Sequence, residues 1–240
     1  MSTIEWTVHN PSGSKRVIVT KQLPGDLWLQ RLAAADCRVE VCQSPDILSV
    51  DEIVHAIGSR CDGAIGQLTE DWSERLFAAL EDAGGKAYSN YAVGYNNYDV
   101  EVATVHNIPV GNTPGVLTET TAEMTVALTF AAARRVAEAD VFMRSGQYHG
   151  WLPTLFLGML LKGKTVGVIG AGRIGAAYAR MMAEGMKMNV VYYDLYRNKG
   201  LEEYMDAYGA FLVAQGEEPV TCTRLDSAED LLAVSDVCLL

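Results

Sequence analysis

Short runs of β-branched and apolar residues alternate along this chain with segments whose apolar positions recur at helical spacing. Arg16–Thr20 predicts a strand, and Pro24–Gly25 opens a helix running to about Ala35. Arg38–Cys42 predicts a second strand, Val50–Gly58 a helix and Asp62–Gly66 a third strand. Within Trp72–Ala83 the apolar residues Trp72, Leu76, Phe77 and Leu80 share one face of a helix. Lys86–Ser89 and Ile108–Val110 predict two further short strands. Alternation of this kind predicts an α/β fold, a parallel sheet covered by helices on both faces.

Thr118–Ser145 breaks that rhythm. It is long, rich in Ala, Leu, Met and Glu, and followed by Gly146 as a stop, so it predicts one long helix. Thr120 and Glu123 stand at capping-box spacing near its start. A helix of this length suits a passage from one domain to the next. It divides the chain into residues 1–120 and 121–240. Beyond it, Lys164–Gly170 predicts a strand, Arg173–Gly185 a helix and Asn189–Asp194 a strand. Gly200–Ala214 and Ser227–Val234 follow as helices, and Ser235–Leu240 begins another strand.

Composition narrows the function classes. The 240 residues are 49% hydrophobic and 20% charged, a globular balance that excludes intrinsic disorder. Nineteen basic against thirty acidic side chains give a net charge of −11, a poor match for nucleic acid or an anionic membrane. The longest apolar stretches, Met124–Ala133 and Leu152–Leu161, are too short to span a bilayer, and Met1–Asn10 carries no secretory pattern. Cys37, Cys42, Cys61, Cys222 and Cys238 form no C-x-x-C, so reduced and mostly buried thiols are expected. His9, His55, His106 and His149 are scattered, and no metal site is expected. His106 and His149 lie in polar stretches and are expected to be solvated.

One motif carries specific chemistry. Gly170-Ala171-Gly172-Arg173-Ile174-Gly175 fits G-x-G-x-x-G, sits between a predicted strand and a predicted helix, and is followed by Asp194 at the end of the next strand. The first glycine makes the turn, the second admits a pyrophosphate to the backbone, and the third lets helix and sheet pack closely. The helix N-terminus supplies free N–H groups for the phosphates. Asp194 suits a ribose diol and repels a 2′-phosphate. In the first half, Tyr91–Asn97 is a glycine-containing loop after a strand. Its N–H groups suit a small carboxylate, although composition alone favours a plain turn. Asn112-Thr113-Pro114-Gly115 is by itself an interdomain turn.

Gly66-Gln67-Leu68-Thr69, Val93-Gly94-Tyr95-Asn96-Asn97, Asn112–Gly115 and Gly170–Gly175, in that order and spacing, resemble the D-isomer-specific 2-hydroxyacid dehydrogenase family along nearly the whole chain. Within it, Gly66–Trp72, Asn112–Glu119, Gly150-Trp151-Leu152-Pro153 and Tyr193-Asp194-Leu195-Tyr196 are similar to the NADH-dependent hydroxypyruvate reductases of plants and algae. The resemblance implies a flavodoxin-like substrate domain followed by the first part of a Rossmann NAD-binding domain, with the active site in the cleft between them. It implies reduction of hydroxypyruvate to D-glycerate, with glyoxylate as a second substrate. NADH is the implied cofactor, with weak NADPH use permitted by Arg197. Val93, Gly94 and Gln67 then bind substrate, while Gly170, Gly172, Arg173, Ile174, Gly175 and Asp194 bind the cofactor, with Thr121 near the nicotinamide or merely capping a helix. The family's catalytic Arg, Glu and His are expected after Leu240. The chain therefore reads as the N-terminal part of an enzyme, inactive by itself. The resemblance further implies a homodimer, through Met124–Ala133 and Trp151–Leu161, and a peroxisomal location, with the cytosol as alternative. The rival reading is an NAD-sensing binding protein on the same fold, as in the C-terminal-binding-protein corepressors. A phosphoglycerate or formate dehydrogenase is the nearer alternative.

Overall fold

Side-chain alternation along Lys15–Val19 separates two cores on opposite faces of one sheet. In the computed structural model, which describes residues 4–240, Val17 and Val19 pack with Val39 and Val41 beneath Leu29 and Leu32. Ile18 points the other way, into Ile53, Ile57, Leu76, Phe77 and Leu80. A strand buried on both faces reads as a continuous apolar run, which is how this one appears in the sequence.

Two compact units divide the chain, Met1–Val116 and Leu117–Leu240. The first contains β1 (Trp6–His9), β2 (Lys15–Val19), α1 (Leu27–Ala34), β3 (Cys37–Cys42), α2 (Val50–Ile57), β4 (Gly63–Gly66), α3 (Glu74–Asp82), β5 (Tyr88–Asn90), α4 (Val100–Val105) and β6 (Val110–Gly111). Its sheet order is β1-β3-β2-β4-β5-β6, with β1 antiparallel to β3 and every other pairing parallel. Setting β1 aside, this is the flavodoxin-like order. The chain leaves β2 for β3 on one side and returns to β4 on the other. The loops at the carboxyl ends of β2 and β4 therefore flank the switch point where such sheets bind ligands.

The details correct two expectations and add one helix. Trp72 does not belong to α3, which starts at Glu74. Its backbone instead bonds Asn97 and Asp99 (2.8 and 3.0 Å), and its ring stacks on Tyr88 at 4.0 Å between centroids. The alternating sequence Val100–Val105 is helical because Asp99 caps it, accepting from the N–H groups of Glu101 and Val102. His106 is not a solvated side chain. Its Nδ1 lies 2.6 Å from a Glu81 oxygen and its Nε2 3.1 Å from a Glu74 oxygen. Only the imidazolium can donate from both nitrogens. The Glu81 contact first, then Glu74, raises its pKa above the ordinary histidine value. Stabilisation from a raised pKa is fully present below the unfolded-state value of about 6.5 and fades as pH climbs through the folded value. His106→Gln should accordingly lower the urea midpoint more at pH 6 than at pH 9. Equal losses at both pH values would contradict the ion pairing.

The second unit contains α5 (Thr118–Ala133), α6 (Val136–Arg144), β7 (Thr165–Ile169), α7 (Arg173–Met186), β8 (Asn189–Tyr193), α8 (Lys199–Ala214), β9 (Cys222–Arg224), α9 (Ala228–Val234) and β10 (Val237–Leu239). Its all-parallel order β10-β7-β8-β9 is that of the leading part of a Rossmann sheet, with crossovers to both sides of β7. Val166, Val168, Val190 and Tyr192 form its core with Tyr178, Met182, Leu201 and Met205.

The single long helix expected over Thr118–Ser145 is two helices. Arg135 adopts a left-handed backbone (φ 54°) between them. The cause is tertiary: Met159 donates its N–H to the Ala133 carbonyl at 2.7 Å, and Gly158 leaves room for that approach. Nor is there a capping box. Leu117 occupies the N-cap without a side-chain bond, and Thr120 lies inside the first turn, donating to the Leu117 carbonyl at 3.2 Å. Among the described residues no helix is long and apolar enough to cross a membrane. Cys37, Cys42 and Cys61 are buried, whereas Cys238 is exposed.

Candidate functional site

The glycine turn after β7 has the geometry its sequence predicts. Gly170 takes φ +91°, a conformation that favours glycine, and its N–H donates to the Tyr193 carbonyl at 2.8 Å. Gly172 is the N-cap of α7, and no side chain caps that end. The N–H groups of the first turn, beginning with Arg173 and Ile174, are left for an external acceptor. A Cβ on Gly172 would meet nothing within 4 Å, so the space before the helix is open. At Gly175 a Cβ would lie 2.1 Å from the Gly170 carbonyl oxygen, so only glycine lets α7 come this close to β7. An open cradle beneath free N–H groups fits a dinucleotide pyrophosphate.

Register brings Asp194 to the same edge. Ile169 pairs with Tyr193 across β7 and β8, so Gly170 and Asp194 stand level at the carboxyl ends of adjacent strands. Asp194 Oδ1 accepts from the Tyr196 N–H (3.0 Å), which orients the carboxylate. Asn198, absent from the motif reading, ties this loop to the glycine turn by donating Nδ2 to the Ala171 carbonyl at 2.7 Å. Its Oδ1 caps α8 by accepting from Leu201. Thr118 and Glu119 line a groove with Gly172 and Arg173. Thr121 stands exposed in that first turn of α5.

In the first unit the loops after β4 and β5 are bound together by the buried Asn90 and the half-buried Asn97 and Asn112. Asn97 Nδ2 donates to the carbonyls of Gln67 (3.0 Å) and Glu70 (3.1 Å). Asn90 Nδ2 donates to the Gly94 carbonyl at 3.0 Å, and Asn112 Nδ2 to the Val93 carbonyl at 2.8 Å. The carbonyls of Val93 and Gly94 are thus engaged, while among the described residues their N–H groups have no protein acceptor. Glu70 is only 3% exposed, and its Oε2 accepts from the Gln67 N–H and the Trp72 indole. Burial pushes its carboxyl above the usual carboxylate range. The Gln67 Nε2 is buried with no partner, a donor available at this loop.

Residues 126–239 match the NAD binding domain of the D-isomer specific 2-hydroxyacid dehydrogenases. The chain is 61% identical over 231 residues to the peroxisomal glycerate dehydrogenase HPR of Arabidopsis thaliana, an alignment covering 96% of this chain and 60% of that protein. It is 60% identical over 235 residues to the glycerate dehydrogenase of Cucumis sativus, covering 98% of this chain and 62% of that one. Among solved structures, the TT0316 protein of Thermus thermophilus superposes with a TM-score of 0.78 at 34% identity, over 93% of this chain and 63% of that one. The chain therefore spans less than two thirds of the length of these relatives.

Proposed function

We propose that the whole protein, whose residues 126–239 match the NAD binding domain of the D-isomer specific 2-hydroxyacid dehydrogenases, is an NADH-dependent hydroxypyruvate reductase, forming D-glycerate and also reducing glyoxylate. The observation that carries the reading is the glycine turn with Asp194 level beside it, in a chain about 60% identical to two glycerate dehydrogenases. When bound, the nicotinamide supplies a hydride to C2 of the keto acid. This chain's residues bind and orient. The N–H groups of Arg173 and Ile174 hold the pyrophosphate over Gly170, Gly172 and Gly175, and Asp194 takes the adenosine ribose hydroxyls. The N–H groups of Val93 and Gly94 hold the substrate carboxylate, with Gln67 Nε2 as a further donor. Thr121 is assigned to the nicotinamide side of the cofactor site. The proton donor is assigned to no histidine of this chain. His106 is the C-cap of α4, before β6 begins, and so lies at the amino end of the parallel strands, whereas the Val93–Gly94 loop follows the carboxyl end of β5.

Met124, Leu128, Trp151, Leu152, Leu157 and Leu160 are all exposed, and a second copy of the chain is the partner we assign to them. By analogy with the relative named peroxisomal, the protein is assigned to the peroxisome, with the cytosol as alternative.

The test is a substrate series with the full-length protein and NADH. Hydroxypyruvate should give the highest kcat/KM, glyoxylate the next, and phosphohydroxypyruvate and formate little. Highest kcat/KM with either of the last two would replace the reading with a related dehydrogenase. Tight NAD binding without turnover of any of the four would favour the corepressor-type reading.

A further inference from the structure

Around Asp194 the structure shows a second, unassigned arrangement. Arg197, three residues on, is a cation of the kind a 2′-phosphate would need, yet its guanidinium is engaged by Glu202. Its Nε and Nη2 both bond Glu202 Oε2, at 2.8 and 2.7 Å. Glu202 is itself held: its Oε1 accepts from the Tyr192 hydroxyl at 2.6 Å, and the same hydroxyl accepts from the Asn198 N–H at 3.0 Å. Tyr192 is fully buried in the sheet, so the carboxylate is fixed to the core while the guanidinium it grips is largely exposed. Arg224, from β9, donates to the Asp194 carbonyl at 2.9 Å, and a groove lined by Arg197, Glu202 and Arg224 opens there.

We propose that Glu202 is a specificity-determining residue, a clamp that holds Arg197 away from the ribose 2′ position and so reinforces the preference for NAD over NADP. The inference rests on the reading of Asp194 as the ribose ligand. Asp194 repels a 2′-phosphate directly, whereas Glu202 acts by denying it a cation. Glutamine at 202 separates the two effects. Its carbonyl still accepts from Tyr192, but its amide presents N–H toward Arg197, and the guanidinium is released.

The experiment is fluorescence titration of the full-length protein with NAD+ and with NADP+, as unaltered protein, Glu202→Gln, Arg197→Ala and the double variant. Glu202→Gln should tighten NADP+ about fivefold, the worth of one exposed ion pair, with NAD+ affinity nearly unchanged. Arg197→Ala alone should alter NADP+ affinity less than about twofold, yet it should cancel the gain in the double variant, a non-additivity that charge removal by itself does not produce. The shorter carboxylate of Glu202→Asp should give a smaller gain in the same direction and serves if the glutamine variant is unstable. A gain that survives Arg197→Ala overturns the clamp, as does unchanged NADP+ affinity in both Glu202 variants. Loss of NAD preference in Asp194→Ser checks the underlying reading separately. If the unaltered protein fails to bind NAD+ at all, that reading and the clamp fall together.

Discussion

Gly175→Val in the full-length protein should abolish measurable NADH binding and destabilise the Rossmann unit. Even the first carbon of the new side chain would lie 2.1 Å from the Gly170 carbonyl oxygen and 2.9 Å from Val168 Cγ1. Backbone cannot yield as a side chain can, so α7 must retreat from β7 and carry the N–H groups of Arg173 and Ile174 with it. Overpacking at such a contact costs about 1–3 kcal/mol of stability, and displacing the phosphate cradle by about 1 Å costs on the order of 100-fold in function. Gly172→Ala separates the two consequences. Its Cβ meets no protein atom within 4 Å, so the fold is kept, while on the proposed reading it fills the space assigned to the pyrophosphate. Thermal denaturation and NADH fluorescence should show binding lost in both variants and stability lost only in Gly175→Val. NADH binding by Gly175→Val within about threefold of the unaltered protein would sink the assignment.

Gly94→Val should lower kcat/KM for hydroxypyruvate by one to two decades while leaving NADH affinity unchanged. The fold tolerates a side chain here: Gly94 has no positive φ, and its Cβ would meet only Leu68 Cδ1, at an ordinary 3.7 Å. What the branched side chain obstructs is the space in front of the free N–H groups of Val93 and Gly94. Each hydrogen bond lost to a carboxylate costs about 1.5–3 kcal/mol, or about one to two decades in kcat/KM. A folded Gly94→Val protein with unchanged kcat/KM would move carboxylate binding to Gln67 or to residues outside this chain.

Those features that depend on a few neighbouring residues were legible in the sequence. The glycine turn is local, since Gly170 carries the positive φ and Gly175 meets the Gly170 carbonyl five residues back, and the strands buried on both faces read directly as apolar runs. Features set by distant partners were not legible. Nothing in Ala131–Arg135 stops a helix, and the break there comes from the Met159 N–H reaching Ala133. Trp72 fits the periodicity of α3, but its indole belongs to Glu70 and its ring to Tyr88. β1, with no continuous apolar run, exists because β3 offers it an edge. His106 reads as solvated because the carboxylates that hold it, Glu74 and Glu81, reach it from another helix. At the candidate site, the place of Asp194 just past the end of β8 was readable from the strand pattern. The roles of Asn97, Asn198 and Glu202 were not, because each depends on a side-chain bond that only the folded chain brings about, to Gln67, Ala171 and Tyr192 respectively. The capping-box spacing at Thr120 and Glu123 misled for the same reason, a local pattern moved inside the helix by the turn at Leu117.

The most direct test of the account is NADH oxidation by the full-length protein with hydroxypyruvate as the only other substrate, followed by chiral analysis of the product. Stoichiometric conversion to D-glycerate, faster with NADH than with NADPH, is the expected result. Formation of L-glycerate, or no NADH oxidation above the rate without hydroxypyruvate, would contradict it.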